Sequence, residues 1–284
     1  MKTATSVSGG RSSAYVAANY PADYLVFALV RIEDRNCLFP DAGIRRIVED
    51  RIQKPFIATA EDDIIIYTIL DLEQYLGRAI DWVSGETFDE VIRSRGRKIL
   101  PSWHRRFCTQ YMKVEPIFNW WAEKIGEPVQ MQIGYRANEG SRIAKMLRRC
   151  NPAGLMEYKA CVGTHQDGPH AGKRKWRKIA WQMPTFPLFD GQVFPAQIHN
   201  FWEGRQVRFA PRNNCIGCFH RHPMLLKKMA AYSPKKMDWF SSQEKLGKGT
   251  WLTGIEYETI INYPLQMELS FDEFSRCDDG YCGL

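Results

Sequence analysis

A double glycine close to the amino end limits the folding options of this chain more than any other feature. Residues 2–7 are short and rich in Thr and Val, as a strand requires, and run directly into Ser8-Gly9-Gly10-Arg11-Ser12-Ser13. Residues 14–19 then have helix-forming character. Strand, glycine turn and helix in that order aim backbone N–H groups at an anion. Two consecutive glycines let the chain turn tightly and approach a phosphate, and the flanking hydroxyls can donate to its oxygens. An ordinary Gly-Gly turn is the plain alternative. The position between a strand and a helix is what favours phosphate binding.

The pattern beyond this turn continues as α/β. Residues 24–30 form an apolar run of the kind buried in a parallel sheet, and the intervening helix makes a right-handed βαβ unit. A helix is predicted over 61–76, with Thr59 placed to cap it, followed by a short strand at 79–83. A further helix is predicted over 109–124, started or kinked by Pro116, and a strand over 129–135. This alternation predicts a parallel sheet with helices on both faces. Residues 165–178 are polar and strongly basic around Trp176 and read as an exposed loop or insertion. Helical segments at 194–202, 224–231 and 236–246 follow, and four of the eight cysteines lie in the last hundred residues. The expected organisation is an α/β nucleotide-binding domain over 1–190 and a helical, cysteine-bearing lobe over 191–284.

Composition matters at three points. Hydrophobic residues make up 44%, enough for a packed core. The net charge of +7 favours an anionic partner, a nucleotide or a nucleic acid. The apolar stretches are too short to span a membrane and no signal peptide is evident, so a cytoplasmic location and no membrane partner are expected. Eight cysteines in a reducing compartment point to metal binding or catalysis rather than a disulfide framework.

Cys215-Ile216-Gly217-Cys218 sets two thiols across a tight turn, a spacing suited to a metal ion or a four-iron cluster. A redox dithiol and a pair of structural thiols are the competing readings. His220 and His222 nearby would extend the pair to a zinc site, or are exposed residues on the following helix. Cys37, Cys150 and Cys161 read as ordinary thiols. Lys113, near the start of a helix, and Arg136 and Arg142, as bidentate donors, suit phosphate or sulfate; taken alone, each reads more readily as a solvated surface charge. Lys173, Arg174, Lys175, Arg177 and Lys178 around Trp176, with Arg148 and Arg149, form a nucleic-acid footprint or a solvated loop.

The hexamer Ser8 to Ser13 resembles the SGGxDS pyrophosphate loop of the PP-loop ATP pyrophosphatases. Ser8, Gly9, Gly10 and Ser13 match; Ser12 stands where Asp is usual and Arg11 where Lys is common. That departure bears on one magnesium contact and not on the phosphate cradle. Arg106-Phe107-Cys108-Thr109-Gln110-Tyr111-Met112-Lys113-Val114-Glu115-Pro116 is similar to the C-x-x-x-[RK]-K-[IV]-x-P segment of the phosphoadenosine-phosphosulfate (PAPS) reductase branch. Gly134-Tyr135-Arg136-Ala137-Asn138-Glu139-Gly140-Ser141-Arg142 is similar to its G-I-R-x-D-E-x-x-R segment, with departures at Tyr135 and Asn138. Pro187-Leu188-Phe189-Asp190 before a helix ending at Phe201-Trp202 also fits that branch.

The resemblance implies an adenine nucleotide alpha hydrolase-like fold. It implies ATP or PAPS bound by Ser8, Gly9, Gly10, Arg11, Ser12, Ser13, Arg136, Glu139 and Arg142, with magnesium as a companion ion. Lys113 would act on the phosphate or sulfate. It further implies an iron–sulfur cluster, of the 4Fe-4S type, on Cys108, Cys215 and Cys218. Cys277 or Cys282 would be the fourth ligand, unless three ligands leave one iron open. The terminal Cys282-Gly283-Leu284 is similar to the E-C-G-L tail whose cysteine attacks the sulfonucleotide in PAPS reductases, which would make Cys282 catalytic. Three functions follow as alternatives. One is ATP-dependent sulfur transfer, with nucleic acid as the acceptor; another is sulfonucleotide reduction with release of sulfite. The third is binding of nucleic acid or a partner on a degenerate scaffold. The intact double glycine favours the first. The oligomeric state is open, with a homodimer among the arrangements allowed.

Overall fold

The computed structural model describes residues 1–95, 99–167, 170–247 and 249–264. Among the described residues eight strands occur, in chain order: β1 (Thr3–Val7), β2 (Tyr24–Ala28), β3 (Arg31–Ile32), β4 (Ala58–Thr59), β5 (Asp81–Val83), β6 (Val129–Gln132), β7 (Met156–Thr164) and β8 (Arg174–Thr185). Six of them form one mostly parallel sheet in the order β5-β2-β1-β6-β8-β7, flanked by helices. β1 pairs parallel with β6, and β6 parallel with β8, while β7 closes the edge antiparallel to β8. β3 and β4 make a separate antiparallel pair. The expected α/β class with a parallel sheet is thus present. No helix among the described residues is long and apolar enough to cross a membrane.

The contacts of the chain divide it into two compact units. The first comprises Met1–Val7, Arg11–Val26 and Phe118–Arg205; the second comprises Ser8–Gly10, Phe27–Ile117 and Gln206–Leu284. In the first unit, Ala4 and Val7 of β1 and Val129 and Met131 of β6 are buried, as strands at the centre of a covered sheet must be. The Thr5 hydroxyl donates to Gln132 Oε1 at 2.7 Å, satisfying a polar pair inside the sheet. An aromatic cluster packs beside it, with Phe118 at 5.6 Å and Trp121 at 5.9 Å from the buried Trp181, ring centre to ring centre. The second unit packs Phe88, Trp239, Phe240, Trp251 and Tyr257 into its core.

Three local outcomes differ from the sequence expectation. The helix expected from Glu61 begins at Ile64 and runs to Leu76, because the Thr59 hydroxyl donates to the Val30 carbonyl and accepts from Glu61 N. Asp62 Oδ1 takes the Ile64 N–H instead. The helix around Pro116 is not uniform. A π turn over Gln110–Val114 lies between Phe107–Thr109 and Glu115–Lys124, and this local widening is where a proline can enter without breaking the run. The basic stretch is not a loop throughout, since Arg174 to Lys178 form the exposed outer half of β8.

Candidate functional site

The glycine turn is built as the sequence implies. β1 ends at Val7, and the helix Arg11–Asn19 begins one residue after Gly10, with no acidic residue in its first turn to offset the positive end of its dipole. Gly9 takes a left-handed φ of +75°, which a side chain resists, and a Cβ there would meet Ile65 Cγ2 at 2.6 Å. A Cβ on Gly10 would meet the Asn213 amide nitrogen at 2.2 Å. Within the first unit, a Cβ on Gly134 would lie 3.0 Å from Ser13 N, so that glycine lets two backbones approach closely. The Trp202 indole N–H donates to the Arg11 carbonyl at 3.0 Å, fixing the first turn of the helix.

The predicted cationic residues are each held by a carboxylate. Lys113 Nζ lies 2.8 Å from Glu61 Oε1, and the Glu61 side chain is only 2% exposed. Glu61 Oε2 is buried with no hydrogen-bond partner among the described residues, so this carboxylate leans on Lys113 for its charge balance. In the first unit Glu139 joins the other two cations. Its Oε2 accepts from Arg136 N at 3.0 Å and Arg136 Nε at 3.2 Å, and its Oε1 accepts from Arg142 Nη1 at 2.7 Å. Arg142 also stacks over the Tyr135 ring at 4.5 Å. Two arginines on one carboxylate leave the group with a net positive charge, held rigidly in a turn.

Cys108, Cys215 and Cys218 come together. All three line one pocket of the second unit, about 40 Å³ in volume, with Lys113, Arg106 and His220 on its wall. The remaining lining is largely apolar, including Met112, Phe240 and Trp251. The Cys-x-x-Cys turn is tight, with Cys218 N donating to Cys215 O at 3.1 Å. Gly217 presses against Phe240, where a Cβ would fall 2.4 Å from the ring. The Tyr257 hydroxyl donates to Gly217 O at 3.0 Å, and burial drives its pKa well above the ordinary tyrosine range, keeping it a neutral donor. Arg221, 3% exposed, donates through Nε and Nη2 to Cys215 O, each at 3.3 Å, and through Nη2 to Asn213 O. These bonds tie a buried guanidinium to the carbonyls of the Cys-x-x-Cys turn and fix the backbone that carries both thiols.

Arg221 and Tyr257 carry no local signal in the sequence, and Arg106 enters it only as the first residue of the Cys108 motif. Arg106 Nε and Nη2 are buried with no hydrogen-bond partner among the described residues, an arrangement that favours an anion in the pocket. Its position within the Cys108 motif was the one available signal. His222 accepts the Met224 N–H at the start of the helix Pro223–Tyr232, which gives it a capping job. Among the described residues, no group of three or more His, Cys, Asp or Glu side chains is gathered closely enough to hold a single metal ion. The six described cysteines form no disulfide. Cys277 and Cys282 lie outside the described residues.

Comparison of the chain with protein-family models, with curated proteins and with solved structures finds no match. The class that stands on the coordinates alone is an α/β protein with a mostly parallel, helix-flanked sheet.

Proposed function

We propose that the protein is a PP-loop-type enzyme that binds an adenine nucleotide, ATP, at Ser8 to Ser13 and carries out sulfur transfer supported by the thiols of Cys108, Cys215 and Cys218. The observation that carries this reading is that these three cysteines, from two separate segments, line one pocket together with Lys113 and Arg106. In the sulfur-transfer cycle an acceptor oxygen attacks the α-phosphorus of ATP and pyrophosphate leaves; sulfide-level sulfur then bonds to the carbon bearing the adenylated oxygen, and AMP leaves carrying that oxygen. A nucleic acid is the acceptor in this reading. The residues' own parts are separable: Gly9 and Gly10 allow close backbone approach to phosphate, and the helix beginning at Arg11 turns its positive end toward charge. Arg221 and Arg106 supply positive potential around the thiols.

The thiol set suits an iron–sulfur cluster in chemistry, being soft donors in an apolar wall without a competing carboxylate. Cys108, Cys215 and Cys218 would hold the cluster, with Cys277 as fourth ligand. Such a cluster supplies electron transfer or an iron that carries sulfur.

The test is a nucleotide panel of ATP, PAPS and its unphosphorylated analogue by calorimetry, with pyrophosphate and sulfite release both measured. ATP binding that Gly10→Val abolishes, with pyrophosphate formed, supports the proposal. Sulfite release from PAPS would replace it with sulfonucleotide reduction, and absence of any nucleotide binding would remove it.

A further inference from the structure

The ribbon of β7 and β8 extends beyond anything it needs for packing. Near its base Tyr158 packs on Phe118 at 4.5 Å and Trp181 is buried, so that end belongs to the core of the first unit. Beyond Ala160 on β7, and from Arg174 to Lys178 on β8, the residues are exposed whichever face they point to. A two-stranded ribbon with both faces in water gains little stability from its own contacts. Its side chains are therefore free to be chosen for something other than packing.

Those side chains are strongly biased. Between residues 156 and 178 there are six cations, Lys159, Lys173, Arg174, Lys175, Arg177 and Lys178, against Glu157 and Asp167. That stretch holds a net +4 of the chain's +7. The register sets Lys159 opposite Lys178, Cys161 opposite Trp176, and Thr164 opposite Arg174. Alternate residues share a face, so Arg174, Trp176 and Lys178 line one side with Lys159 beside them. Lys159 Nζ sits 5.8 Å from the centre of the Trp176 ring, and Trp176 is 48% exposed. An indole held open with a cation about 7 Å to either side along the strand is a stacking platform flanked by phosphate contacts.

We infer that the outer half of the β7–β8 ribbon is a binding surface for single-stranded nucleic acid, with Trp176 stacking on a base and Arg174, Lys178 and Lys159 contacting phosphates. The inference rests on the proposed function only for the role of that strand as acceptor. Positive charge on an edge strand also discourages edge-to-edge pairing of sheets. That purpose is met by lysines alone and is worked against by an exposed tryptophan and the exposed Val162. An acidic protein would use the cations but has no general need of a stacking face.

The experiment is fluorescence anisotropy of a labelled oligothymidylate of about 20 nucleotides on the full chain at several salt concentrations. Trp176→Ala should weaken binding by about fivefold or more, the loss of one stacked base. Arg174→Ala with Lys178→Ala should lower the slope of log affinity against log salt by about 1.4, two single-strand phosphate contacts. Circular dichroism checks that these exposed substitutions leave the fold intact. Unchanged affinity in both variants, equal or tighter binding of the matching duplex, or equal competition by polyglutamate would each overturn the inference. ATP titration of Trp176→Ala separates the two proposals. Oligonucleotide binding at the ribbon without any ATP binding leaves this inference standing while the nucleotide reading falls; ATP binding without a ribbon effect does the reverse.

Discussion

Replacing Gly9 by alanine tests the structural basis of the glycine turn without touching a catalytic group. Two costs add. A left-handed φ of +75° is about 1–2 kcal/mol less favourable for alanine than for glycine. The new Cβ would lie 2.6 Å from Ile65 Cγ2, and Ile65 is 1% exposed on the helix Ile64–Leu76, so relief requires backbone or core movement costing about 1–3 kcal/mol. Alanine lowers the entropy of the unfolded chain and returns about 0.4–1 kcal/mol. The net expectation is a destabilisation of roughly 1–4.5 kcal/mol by urea titration, read from the midpoint at constant slope. Gly10→Ala should cost less, since its φ is not left-handed and its neighbour is the movable end of Asn213. In a double-mutant cycle, Ile65→Ala should absorb at least about 1 kcal/mol of the Gly9→Ala penalty. A Gly9→Ala loss below about 0.5 kcal/mol, or strict additivity with Ile65→Ala, would refute this account of the turn.

Four further outcomes are expected. Lys113→Ala strands the buried Glu61 carboxylate and should cost about 3–5 kcal/mol, partly restored by adding Glu61→Gln, as thermal or urea melts would reveal. Gly217→Ala drives a methyl into Phe240 and should lower stability by about 1–3 kcal/mol while slowing or preventing any metal loading of the Cys-x-x-Cys turn, measured by metal analysis. Anaerobically purified protein should absorb broadly near roughly 400 nm, lost in Cys215→Ala; colourless protein with stoichiometric zinc would contradict the cluster. Burial, with the nearby Asp34, lifts Cys37 from 9.0 to about 11. The folded state therefore favours the neutral thiol, and its contribution is complete below pH 9 and fades as the pH rises toward 11. Cys37 should accordingly be alkylated only after unfolding at pH 8, and rapid labelling of the native protein would count against its burial.

The parts of the fold that were legible in the sequence are those set by local signals. The β1 strand, the glycine pair and the helix after it follow from residues within one short window. The apolar run beginning at Tyr24 and the strand at Val129 announce themselves by buried-strand composition. The start of the helix at Ile64 was misjudged because Thr59 spends its hydroxyl on Val30, a partner that the local sequence does not reveal. The outer ribbon carries the sequence pattern of a loop because, with both faces in water, it lacks the apolar alternation that marks a strand. Within the candidate site, the meeting of Cys108 with Cys215 and Cys218 was expected from resemblance, not from spacing. Arg221 and Tyr257 gain their roles only through tertiary packing around the thiols, which no pattern of neighbours encodes.

The way the backbone threads its two compact units restricts how the molecule can be dissected. The chain passes from one to the other after Val7, Gly10, Val26, Ile117 and Arg205. No single cut yields either unit as one uninterrupted polypeptide, so a truncation series would remove pieces of both at once. Domain-level experiments on this protein call for point substitutions, or for permuted and relinked chains, in place of shortened ones.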